Sequence, residues 1–294
     1  MSSISLHLGV DGRSVYRDAF DAARISIDAE FYSLRDRAVV ASLNRAAERG
    51  VRVRITLEGD VHRFGGARTK EPTDRDICAG LDAAIDVVVS REPHPLVHGK
   101  AAVVDDAIAI VSTANATTTG FGAPGEVVAE CRGGDVAAAV AREVDEAAGG
   151  RPPHSGLRDE LRSLFASPDD LRIASEDLSD WRVVAWLIHR RRAGHHDRVL
   201  VARGASRCGK RRLDELARAG VDVRTGSAGY MHEKFVDAGD RIYIGSANLT
   251  RNGIDESYEV GLVAGAGDFI DGGAAALRAD FDRRWSLAQR LETR

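Results

Sequence analysis

Residues 98–120, HGKAAVVDDAIAIVSTANATTTG, and residues 231–253, MHEKFVDAGDRIYIGSANLTRNG, write one pattern twice, and a pattern written twice points to a fold made by duplication. Each copy sets His and Lys two residues apart, continues through a short apolar run, and ends on a hydroxyl residue and an Asn. His98 to Asn115 is 17 residues and His232 to Asn248 is 16, while Glu126 and Glu259 each lie 11 past their Asn. In extended chain, alternate side chains share a face about 7 Å apart, so His98 and Lys100 point together, as do His232 and Lys234.

The flanking sequence repeats as well. The first pass predicts a helix near 13–23, strand 24–32, helix 36–49, strand 51–58, a helix near 74–84 and strand 85–89 before its His. The second predicts a helix near 156–165, strand 171–176, helix 179–193, strand 197–203, helix 209–219 and strand 221–224. Gly50 and Gly220 each stand just past a helix and just before a β-branched run, the place of a left-handed cap. Strands alternating with helices predict an α/β fold of two similar repeats, with mixed, largely parallel sheets packed about a pseudo-two-fold axis. The Gly- and Pro-rich stretch EAAGGRPPHSG, 146–156, marks the junction, giving repeats over 1–148 and 149–294.

A chain of 294 residues can bury a core for each repeat. Its start has neither a basic cluster nor a sustained apolar core, and no stretch approaches the roughly 18–20 apolar residues of a membrane span. Cys78, Cys131 and Cys208 are odd in number with no close pair, which suggests neither a disulfide framework nor a thiolate zinc site. A reduced, cytoplasmic protein is expected. The net charge of −4 hides an asymmetry: residues 121–180 carry 6 Arg or Lys against 13 Asp or Glu, whereas residues 181–234 carry 13 against 5. Such a distribution can draw a polyanion to one face.

With His, Lys, hydroxyl, Asn and Glu all recurring in order, the chain resembles the phospholipase D superfamily, whose mark is a duplicated His-x-Lys-x4-Asp motif followed by Gly-Ser-x-Asn. The resemblance covers nearly the whole chain. In the first copy His98, Lys100 and Asp105 fit, but Ser112-Thr113 replaces Gly-Ser. In the second Gly245, Ser246 and Asn248 fit, but the Asp position is Gly239. Asp237 keeps the parity of the missing Asp, and Asp240 is the other near carboxylate. The resemblance implies a phosphodiesterase working through a phosphohistidine, with His98 as nucleophile and His232 as acid.

That chemistry suits these residue types. Lys100 and Lys234 can neutralise the non-bridging oxygens of a phosphodiester, with Thr113, Ser246, Asn115 and Asn248 as neutral donors. One imidazole attacks phosphorus while the other, protonated, serves the leaving oxygen. Glu126 and Glu259 would orient the imidazoles. An isolated His in a strand is usually structural, as His62, His94, His154, His189, His195 and His196 are taken to be; Asp105 is read as a structural hairpin residue ahead of a proton carrier. A Lys at the centre of each cluster would repel a divalent cation, so no metal and no cofactor is expected.

Two basic stretches occupy equivalent places after the second strand of each repeat: Arg63, Arg68 and Lys70, and Arg207, Lys210, Arg211 and Arg212. They suit a substrate with phosphates beyond the one being cut, and a nuclease ranks first. Phospholipid hydrolysis or headgroup transfer ranks second, since only 5% of residues are aromatic and an interfacial enzyme would show more. A weakly catalytic nucleic-acid-binding module, motivated by Gly239 and Thr113, ranks third. With both motifs in one chain, a monomer can be active.

Overall fold

The computed structural model describes residues 3–9, 12–59, 61, 80–90, 94–151, 153, 156–202, 206–226 and 231–291. The first repeat runs β1 (Ser3–Leu8), α1 (Gly12–Ala22), β2 (Ser26–Phe31), α2 (Arg37–Glu48), β3 (Arg52–Glu58), β4 (Asp86–Ser90), β5 (Lys100–Val104), β6 (Ile108–Ser112), α3 (Thr118–Phe121), β7 (Val127–Arg132) and α4 (Gly134–Ala148). The second runs α5 (Leu157–Phe165), β8 (Arg172–Ser175), α6 (Trp181–Arg192), β9 (Arg198–Val201), α7 (Arg207–Arg218), β10 (Asp222–Thr225), β11 (Phe235–Asp237), β12 (Arg241–Gly245), β13 (Gly261–Gly265), α8 (Gly273–Leu287) and β14 (Gln289–Arg290). The helix expected near 74–84 falls largely outside the described residues.

Each repeat holds a seven-stranded sheet, in the orders β1-β7-β6-β5-β2-β3-β4 and β13-β12-β11-β8-β9-β10-β14. Six strands correspond in the same order, and each sheet gains one at the opposite edge: β1 beside β7, β14 beside β10. The sheets are mixed, as expected, but their parallel part is confined to β2-β3-β4 and β8-β9-β10. The motif hairpins β5-β6 and β11-β12 join the sheet antiparallel to β2 and β8, so antiparallel pairs outnumber parallel ones.

Both faces of each sheet are covered. Along β5, Ala102 and Val104 pack with Val15, Phe20, Val39 and Leu43 from α1 and α2, while Ala101 and Val103 turn to a second cluster. That second cluster crosses the repeats, joining them to Phe235, Ile242, Ile244, Phe281 and Trp285. Val236, Ile173, Leu187 and Leu213 form the outer core of the second repeat. Strands buried on both sides explain the near-continuous apolar runs.

Local devices repeat too. Asp36 caps α2 through the amides of Ala38 and Val39 and takes Arg13 Nε at 2.7 Å; Asp180 caps α6 through Arg182 and Val183 and takes Arg158 at 2.9 Å. Each cap contributes about 1 kcal/mol. Gly50 and Gly220 both have φ +85°, the left-handed conformation their positions predict.

Candidate active site

The duplication brings the two motifs into one site by crossing them. His98 Nδ1 meets Glu259 Oε1 at 2.8 Å, and His232 Nδ1 meets Glu126 Oε1 at 2.9 Å, so each imidazole is oriented by a carboxylate of the other repeat. A bridge between Val97 and Tyr258 fixes the crossing: the His98 amide donates to Tyr258 O at 2.8 Å, and the Tyr258 amide to Leu96 O at 2.8 Å. With Nδ1 engaged, Nε2 is the nitrogen of each ring left to face a ligand. Lys100 and Lys234 are both buried, and each ammonium turns back to the carbonyl of its own His, Lys100 at 2.6 Å. The charges of Lys234 and Glu176 both reach His98, so the two motifs form one electrostatic unit.

The hydroxyls do something other than expected. Thr113 Oγ1 donates to Glu126 Oε2 and accepts the Val127 amide at 2.9 Å; Ser246 Oγ donates to Glu259 Oε2 at 2.5 Å and accepts the Val260 amide at 2.9 Å. They hold the carboxylates that hold the imidazoles, and each hydroxyl proton is committed to that bond. Thr113 does what Ser does, so its departure from the family pattern leaves the site whole. The two Asn differ: Asn248 Nδ2 donates to Glu176 Oε2 at 3.3 Å, and Asn115 Oδ1, an acceptor, is buried with no partner among the described residues.

Asp105 is not in the site. It stands at the far end of β5, five residues and roughly 16 Å from Lys100, where its carboxylate accepts the amides of Arg24, Ile25 and Ser26 at 3.0, 2.7 and 2.9 Å. It ties the hairpin turn to the start of β2. Asp237 does not take over that tie, because it is buried in β11 and binds both Arg278 nitrogens at 2.9 Å. At Gly239 the turn is left-handed, φ +84°, and a Cβ would lie 2.1 Å from Asp169 Oδ2, so a side chain here would need Asp169 to move. Asp240 is exposed at the same turn.

Of the basic residues expected to bind substrate, Arg63, Arg68 and Lys70 lie outside the described residues. Arg207, Lys210, Arg211 and Arg212 sit on the first turns of helix α7 and not on a loop. The first three are exposed, and Arg212 pairs with Glu215 at 2.7 Å. Gly209, between them, packs on Asp177, the neighbour of Glu176, which puts this end of α7 at the flank of the site.

Two site residues lie outside both motifs. Glu176 Oε2 is 3.5 Å from His232 Nε2 and 3.5 Å from Lys234 Nζ. The Tyr32 ring lies 4.9 Å from the His98 ring and 5.4 Å from Lys100 Nζ. They are counterparts, each four residues before its N-cap aspartate, Asp36 or Asp180, and aligning the two caps in the sequence would have found them.

Burial governs the charges. It pushes His98 down to about 4 against the pull of Glu259, and pushes Lys100 down to about 7. His232 and Lys234 are lowered for the same first reason. Glu126 and Glu259, which burial would raise, are held below the usual range chiefly by His232 and His98. Stability should respond to His98. An unfolded imidazole takes a proton near 6.5 and the folded one only near 4, so between these values the unfolded chain binds more protons. Stability therefore falls as pH drops from about 6.5 to about 4 and this contribution levels off below. Urea denaturation at about pH 7 and about pH 4.5 should show a smaller acid loss in His98→Asn than in the native chain; equal losses would contradict it.

Among the described residues no three His, Cys, Asp or Glu side chains are arranged to hold a metal ion, and no helix is long and apolar enough to cross a membrane. Residues 16–147 and 161–285 match the family model described as "Cardiolipin synthase, PLD-like domain". The chain belongs to the phospholipase D-like family. No curated protein matches the sequence. The fold is similar to phosphatidylserine synthase from Haemophilus influenzae Rd KW20, with TM-score 0.72 and 12% identity over 98% of this chain and 87% of that one. It is similar also to polyphosphate kinase from Porphyromonas gingivalis, with TM-score 0.68 and 14% identity over 99% of this chain. The chain spans about half of that kinase, 48%. The phospholipase D-like family acts on phosphodiester bonds, by hydrolysis or transfer, and its fold here carries two His-Lys pairs in one site.

Proposed function

We propose that the two repeats, 1–148 and 149–294, act together as a metal-independent phosphodiesterase that passes through a phosphohistidine on His98. The crossed His–Glu pairs carry this reading. His98 Nε2 attacks phosphorus as the P–O bond to the leaving alcohol breaks, and His232 Nε2 gives that oxygen its proton. Water, or another alcohol, then loses a proton to His232 and displaces His98 from phosphorus. The electrostatics support this division of labour. His232 lies between two carboxylates, Glu126 at Nδ1 and Glu176 at Nε2, which oppose the burial and the Lys234 charge that lower its pKa, whereas His98 has one carboxylate and an aromatic neighbour. The His98 side chain is also the more open of the two, 13% exposed against 4%, as an attacking group must be. Lys100 and Lys234, with Asn115 and Asn248, would take the non-bridging oxygens.

For substrate, nucleic acid is the reading favoured by α7, whose exposed Arg207, Lys210 and Arg211 flank the site and suit phosphates on either side of the scissile one. Replacing Arg207, Lys210, Arg211 and Arg212 together with Ala should weaken nucleic-acid binding and reduce the salt slope by about 0.7–0.9 for each phosphate no longer neutralised. Turnover of a small nitrophenyl diester in EDTA should stay nearly unchanged. An unaltered slope would remove α7 from the substrate path. Phospholipid headgroup hydrolysis or transfer is the second reading, supported by the description of the family model and by Trp181, 54% exposed at the start of α6 with Arg182 against its ring. Cleavage of phosphatidylglycerol vesicles with no effect on single-stranded DNA, duplex DNA or RNA would decide for it. Gly239 and Thr113 give no ground for a weakly catalytic module, since neither departure removes a group from the site.

A further inference from the structure

Glu176 is a charged residue outside both motifs that takes no part in the bond-making steps of the reaction proposed above. Its Oε2 lies 3.5 Å from His232 Nε2, 3.5 Å from Lys234 Nζ and 3.3 Å from Asn248 Nδ2, which are the acid, the cation and the amide donor of the leaving-group side. Burial works to raise its carboxyl, but Lys234, then His232 and Asn248, overcome that and hold it down at about 2. It is an anion at neutral pH. On the nucleophile side the same position is Tyr32, whose ring brings no charge to Lys100 or His98.

We propose that Glu176 is a specificity-determining residue that admits monoanionic phosphodiesters and turns away dianionic phosphates. The inference rests on the reading that His232 faces the leaving oxygen. In a diester that oxygen carries carbon and no charge, and the single negative charge is shared by the two non-bridging oxygens. In inorganic phosphate, or in the monoester product once water has entered on this side, the oxygen there carries no carbon and takes a second negative charge once pH exceeds about 6 to 7. That charge would fall beside a fixed carboxylate in a largely buried site, where like charges about 4 Å apart repel strongly. With 22% of its side chain open to solvent, Glu176 has room to turn from Lys234 when a diester arrives, yet it remains next to the leaving oxygen. Hydrolysis delivers a new oxygen from water at this position and makes the product a monoester, so the same carboxylate drives the product out.

The test compares the native chain with Glu176→Gln, which keeps the size and removes the charge, and with Glu176→Tyr, which installs the side chain of the other repeat. The probe is inorganic phosphate at about pH 8, its binding followed by calorimetry. Glu176→Gln should bind phosphate at least about tenfold more tightly. Should Glu176→Gln fail to fold, Glu176→Tyr is read in the same way. Phosphate binding within twofold of the native chain would overturn the inference, whatever happens to turnover. A native chain that cleaves no diester would sink the proposed function, and the phosphate comparison would still decide the role of Glu176.

Discussion

His98→Asn is expected to abolish turnover of an activated phosphodiester in EDTA, by roughly 10⁴-fold or more, and to leave no protein-bound phosphorus. His232→Asn should behave differently. A nitrophenolate leaves without a proton, so His98 can still be phosphorylated; the second step, which needs His232 to deprotonate water, then stalls. Acid-quenched mass spectrometry should find the phosphoryl group on His98 in that variant and on neither residue in His98→Asn. Phosphate on His232 would reverse the two roles. EDTA-sensitive activity with no adduct in either variant would remove the covalent, metal-free mechanism.

The second large effect comes from the crossing. Because Glu259 orients His98 and Glu126 orients His232, each glutamate should share the phenotype of a histidine in the other repeat. Glu259→Gln should slow phosphorylation by roughly 10²–10³-fold, the scale of a misaligned nucleophile. Glu126→Gln should spare phosphorylation by an activated diester and slow release, so that the adduct accumulates. Gln is preferred to Ala because a cut-back carboxylate leaves a buried imidazole unpaired, at a cost of about 1–3 kcal/mol. Single-turnover kinetics separates the two steps, and a burst in Glu259→Gln with none in Glu126→Gln would mean that each glutamate serves its own repeat.

Much of this site could be read from the sequence because duplication printed it twice. His98, Lys100, Asn115 and Glu126 recur as His232, Lys234, Asn248 and Glu259, and the helices and buried strands between them follow apolar periodicity. The crossing could not be read, since a glutamate 11 residues past its Asn has the same spacing whichever histidine it serves. The roles of Thr113 and Ser246 are hidden for a related reason: sequence supplies a donor, but its acceptor is set by where two strands end. Asp105 carries a motif position and a structural role together, and only its distance along β5 separates them. Edge strands β1 and β14 escape a sequence reading because single strands paired antiparallel at a sheet margin have no repeat to announce them. Glu176 lies beyond either motif, just past a strand otherwise occupied by core residues.

The unlike pair Tyr32 and Glu176 bears on which bond is broken. A site with strict two-fold symmetry would give the two ester oxygens of a diester the same surroundings, and each encounter would be free to cut on either side. Here an aromatic ring stands beside His98 and a carboxylate beside His232. In the proposed reaction a duplicated fold has therefore acquired a direction: the two sides of phosphorus meet unlike walls, with attack from the His98 side and departure on the His232 side.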